Sequence, residues 1–181
     1  MHETTPPFHV VTGGPGAGKS TLIAALAHAG FAVVAEAGRA VIREQQASGG
    51  DALPWRDRAA FAHAMLARDL AAYDAHRAAS APVFFDRGIA DVVGYLRLEG
   101  LPVPEAMLSA ARARRYARVF ICPPWPDIYV TDAERKQTPE TAARTYDAMV
   151  EAYTGLGYPL IEVPRASVAA RIDFMLEAIR A

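Results

Sequence analysis

The stretch Gly13-Gly14-Pro15-Gly16-Ala17-Gly18-Lys19-Ser20 decides the fold of this chain. It fits the pattern G-x-x-x-x-G-K-[ST], in which glycine-rich backbone wraps a phosphate, the lysine reaches the β- and γ-phosphates and the hydroxyl binds Mg²⁺. The apolar run 8–12 predicts a buried strand before this stretch, and residues 20–27 predict a helix after it. A plain glycine-rich turn has no use for Lys-Ser at this offset, so the sequence predicts a phosphate-binding P-loop.

The predicted loop binds phosphate through its backbone and through charge. Glycines carry no Cβ, so backbone N–H groups can turn inward around an anion, and the following helix adds its positive N-terminal end. We expect a nucleoside triphosphate to be held by eight consecutive residues, which are Gly14, Pro15, Gly16, Ala17, Gly18, Lys19, Ser20 and Thr21.

Composition bounds the class of protein. The chain has 181 residues, about half of them apolar and about a fifth charged, which is enough for one globular domain with a full core. A net charge of −1 leaves no basic footprint for nucleic acid. No apolar run approaches membrane-spanning length, and residues 1–7 do not form a signal peptide. We therefore expect a cytoplasmic protein, monomeric or homodimeric, with neither nucleic acid nor a membrane as partner.

Short apolar segments alternate with helical patterns along the whole chain. Five such segments predict strands, at residues 8–12, 31–35, 82–86, 118–122 and 160–163. Pro54 predicts the start of a long helix that runs to about Arg77 and is packed on two sides. This alternation predicts an α/β fold, a P-loop NTPase three-layer sandwich whose five-stranded parallel sheet has helices on both faces.

Acids and arginines follow the predicted strands, at the edge where parallel sheets bind ligands. Asp86 ends the third strand, where it can hold Mg²⁺ through water; the alternative is an N-cap of the helix after Gly88. Arg87 would face a phosphate or the acceptor, unless it is a surface arginine. Glu36 can accept the proton of an acceptor hydroxyl, with Arg39 on the same helical face fixing the substrate. An exposed glutamate at a helix start is the equally weighted alternative for Glu36.

Further candidate residues lie outside these strand ends. A long loop carries Asp132, Arg135 and Lys136, which can close over a transferring phosphate or form a solvated turn. Trp55 and Tyr95 either line an aromatic acceptor pocket or pack in the core. Arg112, Arg114 and Arg115 suit the negative end of a helix, so they are interpreted as structural.

Together, these segments resemble those of a known family. The P-loop, Glu36-x-x-Arg39, Phe85-Asp86-Arg87-Gly88, Pro123-Pro124-Trp125 and Asp132-x-x-Arg135 resemble a family of small AAA-type P-loop ATPases that includes the ribosylnicotinamide kinase domain. The likeness covers nearly the whole chain and extends to the thymidylate and deoxynucleoside kinase group.

That resemblance implies roles for particular residues. Asp86 and Arg87 match an acid–arginine pair after the third strand, Glu36 matches an acid that can act as a base, and Arg135 matches a lid arginine. The chain is then a single P-loop kinase-like domain over residues 1–181, with a lid loop at about 124–138. The loop 164–167 would lie by the adenine. No second-region arginine finger or sensor domain fits in this length, so a ring-forming remodelling ATPase is disfavoured.

The leading hypothesis is an ATP- and Mg²⁺-dependent phosphotransferase acting on a small, nucleoside- or nucleotide-like acceptor. The residues expected to carry catalysis are Lys19, Glu36, Asp86, Arg87 and Arg135. The substrate is assigned to Glu36, Arg39 and Arg87, and the metal to Ser20 and Asp86. Two alternatives stay open, a stand-alone NTPase or nucleotide phosphatase and a nucleotide-gated regulatory module. A GTPase switch is disfavoured, because Cys122-Pro123-Pro124 stands where Asn-Lys-x-Asp would be expected.

Overall fold

The computed structural model of the protein describes residues 5–128 and 138–181. The predicted lid residues Asp132, Arg135 and Lys136 lie outside these described residues. No helix in the described segments is long and apolar enough to cross a membrane.

Five parallel strands form one sheet in the order β2-β3-β1-β4-β5. The strands are β1 (Phe8–Gly13), β2 (Ala32–Val34), β3 (Val83–Asp86), β4 (Arg118–Cys122) and β5 (Leu160–Glu162). Every residue of the central strand β1 is buried, as expected for an apolar strand covered on both faces. In register, Val11 lies beside Asp86 and Gly13 beside Cys122, so the polar groups that follow these strands share one edge.

In the described residues, seven α-helices cover the two faces of the sheet. They are α1 (Lys19–His28), α2 (Ala37–Ser48), α3 (Arg58–Ala75), α4 (Ile89–Leu98), α5 (Glu105–Ala113), α6 (Pro139–Gly155) and α7 (Val168–Arg180). Alternate residues of β1 point to opposite faces: Val10 packs with Tyr73 of α3 and Tyr153 of α6, whereas Val11 packs with Leu22 of α1 and Met175 of α7. The predicted α/β sandwich with a five-stranded parallel sheet is confirmed.

The long helix α3 begins later than the sequence predicts. Its N-cap is Asp57, whose carboxylate accepts a hydrogen bond from the N–H of Ala60 at 2.8 Å. Pro54 lies in the preceding turn, because the extended backbone at Asp57 interrupts helical geometry between the two. A side-chain cap at Asp57 sets the boundary more strongly than a favourable proline three residues earlier.

The arginine cluster near the end of α5 is structural, as predicted. Arg114 pairs with Asp74 on α3, with nitrogen–oxygen distances of 3.1 and 2.8 Å. Arg115 donates to the carbonyl of Leu156 at 2.7 Å and lies 3.7 Å over the ring of Tyr158. The helix end that Arg115 caps therefore belongs to α6 and not to α5.

Candidate active site

The P-loop connects β1 to α1 through backbone that requires glycine. Gly13 has a φ of 129°, and a Cβ at this position would lie 2.3 Å from the carbonyl oxygen of Cys122 on β4. Gly18 has a φ of 75° and precedes α1 without a side chain that could cap it. The first N–H groups of α1 are thus left for an anion, as in other phosphate-binding helix termini.

Lys19 is folded back onto this loop. Its side chain is 8 % exposed, and Nζ donates a hydrogen bond to the carbonyl of Gly14 at 2.5 Å. Burial, reinforced by the neighbouring Arg87 cation, lowers the pKa of Lys19 to about 8. Ser20, the next residue, is exposed at the start of α1.

Asp86 lies at the carboxyl end of β3, beside the P-loop strand. Its Oδ1 is buried and has no hydrogen-bond partner among the described residues. Burial and the nearby Glu36 carboxylate raise the pKa of Asp86, against the opposing charges of Arg87 and Lys19. The alternative role as a helix N-cap is wrong, because Gly88 is the N-cap of α4.

These residues fit a magnesium ion. An orphaned, buried carboxylate oxygen is rare in proteins and indicates a missing polar partner. No group of three His, Cys, Asp or Glu side chains converges anywhere in residues 5–128 and 138–181. Mg²⁺ is usually bound by one or two protein oxygens together with phosphates and waters, which is what Ser20 and Asp86 can provide.

Arg87 is held rigidly at the edge of the sheet. It adopts the left-handed region with a φ of 70°, which is uncommon for a residue other than glycine. Its Nη1 lies 3.0 Å from Asp91 Oδ1, and its Nε lies 3.5 Å from Glu36 Oε1. Burial alone would lower the pKa of Arg87, but the surrounding carboxylates outweigh it and raise the pKa. Arg87 is therefore not a solvated surface arginine.

Asp91 connects several groups at the start of α4, and the sequence analysis did not predict this role. Its buried carboxylate accepts hydrogen bonds from Thr12 Oγ1 at 2.5 Å, Tyr153 OH at 2.6 Å and the N–H of Gly88 at 2.9 Å. With Arg87, four donors converge on one side chain. An acid three residues after a helix N-cap is the signal that could have found it.

Glu36 stands at the N-cap of α2 and faces inward. Its side chain is 14 % exposed, and it pairs with Arg39 at 3.2 Å as well as with Arg87. The alternative of an exposed helix-start glutamate is thus wrong. The role of Glu36 as a base stays a prediction.

A cavity of about 900 Å³ opens beside the P-loop, between α2, α3, α4 and α6. Pro15 of the loop, Glu36, Arg39 and Arg87 line it, together with Trp55 and Tyr95. Trp55 is 60 % exposed, so it is not a core residue. Tyr95 packs edge-on against Phe61, and its buried hydroxyl has no partner in the described part of the chain. The structure therefore brings both aromatic candidates to the wall of one pocket.

Two further residues of the site, Asp69 and Arg171, were not predicted from the sequence. Asp69 of α3 is buried in the cavity wall. Arg171 of α7 is 2 % exposed and donates to the carbonyl of Ala17 at 3.1 Å and to Cys122 Sγ at 3.2 Å. Neither residue carries a local motif, because each gains its role from a contact with distant chain.

The fold and site define the class of protein as a P-loop protein with kinase-like architecture. The family model described as AAA domain matches residues 8–171, so the chain belongs to this AAA domain family. A comparison with curated proteins finds no significant match.

Solved structures of the same fold include three kinds of protein. A NadR protein in complex with NR has a TM-score of 0.72 at 16 % identity, covering 97 % of this chain and 50 % of that one. A thymidylate kinase from Ehrlichia chaffeensis has a TM-score of 0.66 at 14 % identity, covering 98 % and 100 %. A deoxyadenosine kinase from M. mycoides has a TM-score of 0.65 at 14 % identity, covering 96 % and 98 %. The chain thus spans half the length of the NadR protein.

Proposed function

We propose that the protein is an ATP- and Mg²⁺-dependent phosphotransferase that acts on a small acceptor of nucleoside or nucleotide type. The observation that carries this proposal is the cavity of about 900 Å³ directly beside the P-loop. Its volume suits a small-molecule ligand. An enzyme that used only water as acceptor would have no need of such a pocket.

The fold supports the same class of reaction. Solved structures of this architecture include a thymidylate kinase and a deoxyadenosine kinase, and one NadR structure holds NAD and AMP-PNP. Likeness of fold does not identify the acceptor, which has to be argued from the pocket.

In the proposed mechanism, residues 14–21 bind the triphosphate through backbone N–H groups and the Lys19 ammonium. Ser20 and, through water, Asp86 would hold Mg²⁺, which neutralises charge on the β- and γ-phosphates when bound. Glu36 accepts the proton of the acceptor hydroxyl, and Arg39 helps to fix the acceptor.

Arg87 offsets charge on the moving phosphoryl group. Its distances of 3.0 Å to Asp91 and 3.5 Å to Glu36 keep the guanidinium in place before substrate arrives. Arg135, in a lid at about 124–138, would add a second positive charge when the single domain closes over its substrates.

An acceptor screen with coupled detection of ADP tests the proposal. ADP release should rise with particular nucleosides or nucleotides, and mass spectrometry should find one phosphorylated acceptor for each ADP. Steady ADP release that ignores every acceptor would instead establish a hydrolase.

Two variants tie the activity to the P-loop. Lys19→Ala and Ser20→Ala should each abolish turnover while leaving the fold intact, because both groups act on phosphate and metal. Ser48→Ala, at the exposed end of α2, is the matched control and should keep full activity. Wild-type turnover in folded Lys19→Ala protein would refute the P-loop assignment.

A further inference from the structure

One face of α3 presents an acid to the cavity. Phe61, Met65 and Asp69 are spaced four residues apart, so they lie on the same side of the helix, and all three line the cavity. Phe61 and Met65 provide apolar wall, whereas Asp69 places a carboxyl group among them. This pattern differs from that of a core-facing helix, which would continue with a third apolar residue.

Within the described residues, Asp69 has no hydrogen-bond or ion-pair partner, although it is only 8 % exposed. The nearby Arg87 is already engaged by Asp91 and Glu36. A buried carboxyl group without a partner is destabilising, so its presence in a pocket wall points to a ligand as the partner.

The surroundings of Asp69 favour its neutral form. Glu36 at the start of α2 and Asp91 on α4 are acids that face it, Tyr116 before β4 lies nearby, and Arg87 only partly opposes them. Burial and these acids raise the pKa of Asp69 to about 8. A neutral carboxyl group offers one O–H donor and one carbonyl acceptor side by side.

We propose that Asp69 determines acceptor specificity by pairing with a heterocyclic base that carries an amino group beside a ring nitrogen. The carboxyl O–H donates to the ring nitrogen, and the carbonyl oxygen accepts from the amino group. Adenine and cytosine present this edge. The inference rests on the proposed phosphotransferase function, in that the base belongs to the acceptor.

The rest of the pocket suits such a base. Phe61 and Tyr95 offer aromatic surface along the same cavity, and Trp55 stands exposed at its wall. Planar bases stack on aromatic side chains irrespective of their identity, so stacking supplies affinity. The carboxyl group of Asp69 then supplies the discrimination among bases.

The test compares matched ligands by direct binding, measured by calorimetry in the presence of AMP-PNP and Mg²⁺. Adenosine is set against purine riboside, which lacks only the amino group, and cytidine against the pyrimidin-2-one riboside. Wild-type protein should bind at least one amino base about 10- to 100-fold more tightly than its partner, since a buried acceptor is left unpaired without the amino group. Whichever pair shows the difference identifies the base as purine or pyrimidine.

Two variants assign the difference to Asp69. Asp69→Leu should bind both members of the pair equally, while Asp69→Asn, which keeps a donor and an acceptor, should retain the preference. Wild-type affinity for the amino base should fall above about pH 8 as Asp69 ionises, and Asp69→Asn should not show this fall. The comparison with Asp69→Asn is essential, because Lys19 in the neighbouring loop also has a pKa of about 8.

The possible results distinguish a failure of the proposed role of Asp69 from a failure of the proposed phosphotransferase function. Equal wild-type affinity for both members of each pair, no binding of any of the four ribosides at millimolar concentration, or an unchanged preference in Asp69→Leu would overturn the role of Asp69. Preferred binding of an amino base that is never phosphorylated would support Asp69 while refuting phosphotransfer to that ligand. The matched ligands test wild-type protein, so the result stands even if a variant does not fold.

Discussion

The carboxylate of Glu36 touches two arginines of different exposure. Arg39 is half-exposed on α2, whereas Arg87 is largely buried at the end of β3. Both guanidinium groups hold the carboxylate in one position, which a general base requires. The same contacts keep its side chain directed into the cavity.

Glu36→Gln keeps the shape of this side chain but removes its proton affinity. If Glu36 is the base, kcat should fall by about 10²- to 10⁴-fold, the usual contribution of general-base catalysis. The KM for ATP should hardly change, because accepting a proton from the acceptor does not require Glu36 to contact the triphosphate. Steady-state kinetics with varied ATP at saturating acceptor measures both values.

Arg39→Gln provides the control for this variant, because it breaks the exposed ion pair while leaving the carboxylate in place. It should raise the acceptor KM more than it lowers kcat. A collapse of ATP affinity in Glu36→Gln would show that Glu36 holds metal or nucleotide. Nearly unchanged turnover would make Asp86 the leading base candidate.

Because His9 on β1 is buried, we expect the folded protein to lose stability in acid. His9 is buried between Phe84 and Phe120, with ring centroids at 5.3 and 6.4 Å, and its Nδ1 has no partner in the described residues. Burial, aided by Arg118, lowers its pKa to about 4. The unfolded chain therefore binds more protons than the native one between pH 6.5 and 4, so His9 costs stability as pH falls through that window.

His9→Phe should remove this acid-side loss. The pKa difference corresponds to about 3 kcal/mol between pH 7 and pH 4. Urea unfolding at several pH values should show the midpoint of the variant rising relative to that of wild type as pH falls. His28→Phe, at the exposed end of α1, is the matched control, and parallel pH curves for wild type and His9→Phe would contradict the prediction.

At the scale of secondary-structure elements, the start of α4 joins three parts of the fold. Asp91 caps the helix at Gly88, bonds Thr12 of β1 and receives the hydroxyl of Tyr153 from α6. Arg87 precedes the helix in a strained left-handed conformation, which persists where surrounding contacts over-determine it. Packing of α4 thus sets the position of Arg87.

Asp91→Asn should weaken this junction strongly. The amide cannot accept from all four donors and no longer neutralises Arg87, so we expect a loss of about 3–5 kcal/mol in the free energy of unfolding. Tyr153→Phe removes a single hydrogen bond to a charged group and should cost about 1.5–3 kcal/mol. Chemical denaturation measures both, and Asp173→Asn on the exposed face of α7 should stay within about 0.5 kcal/mol of wild type. Equal effects of Asp91→Asn and Asp173→Asn would rule out the junction.

At the scale of the whole molecule, the P-loop near the N-terminus contacts a residue of the last helix, α7. Arg171 lies 154 positions from Ala17, yet it donates to that residue's carbonyl oxygen. The same guanidinium contacts Cys122 at the end of β4. Docking of α7 on the sheet therefore adds a hydrogen bond that holds the phosphate-binding loop.

Ligand binding should in turn stabilise the whole domain. MgATP at 100 times its Kd should add about 2.7 kcal/mol to the free energy of unfolding, since only the native state has the site. For a chain of this size, this corresponds to a rise in Tm of about 5–10 °C. Differential scanning fluorimetry measures the shift, which should shrink when EDTA removes Mg²⁺.

Lys19→Ala controls for nonspecific stabilisation. The variant should lose most of the shift, because the ammonium that meets the phosphates is gone. A shift in Lys19→Ala equal to that of wild type would mean that ATP binds elsewhere.

The sequence by itself determined the P-loop, the five parallel strands, and the acids and arginines at one edge of the sheet. These features follow from local patterns, since glycine spacing, strand hydrophobicity and helix periodicity each act within a few residues. Even so, the start of α3 was misplaced, because the capping bond of Asp57 outweighed the preference of Pro54 for a helix start.

Only the tertiary structure decided which side chains of the site contact one another. The convergence of donors on Asp91, the contact of Arg171 with the P-loop and the isolation of Asp69 in the cavity wall all join distant segments. The periodicity of a sequence does not predict how many hydrogen-bond partners a buried acid will have. That depends on which helices pack together, and burial then fixes the charge state that each acid can hold.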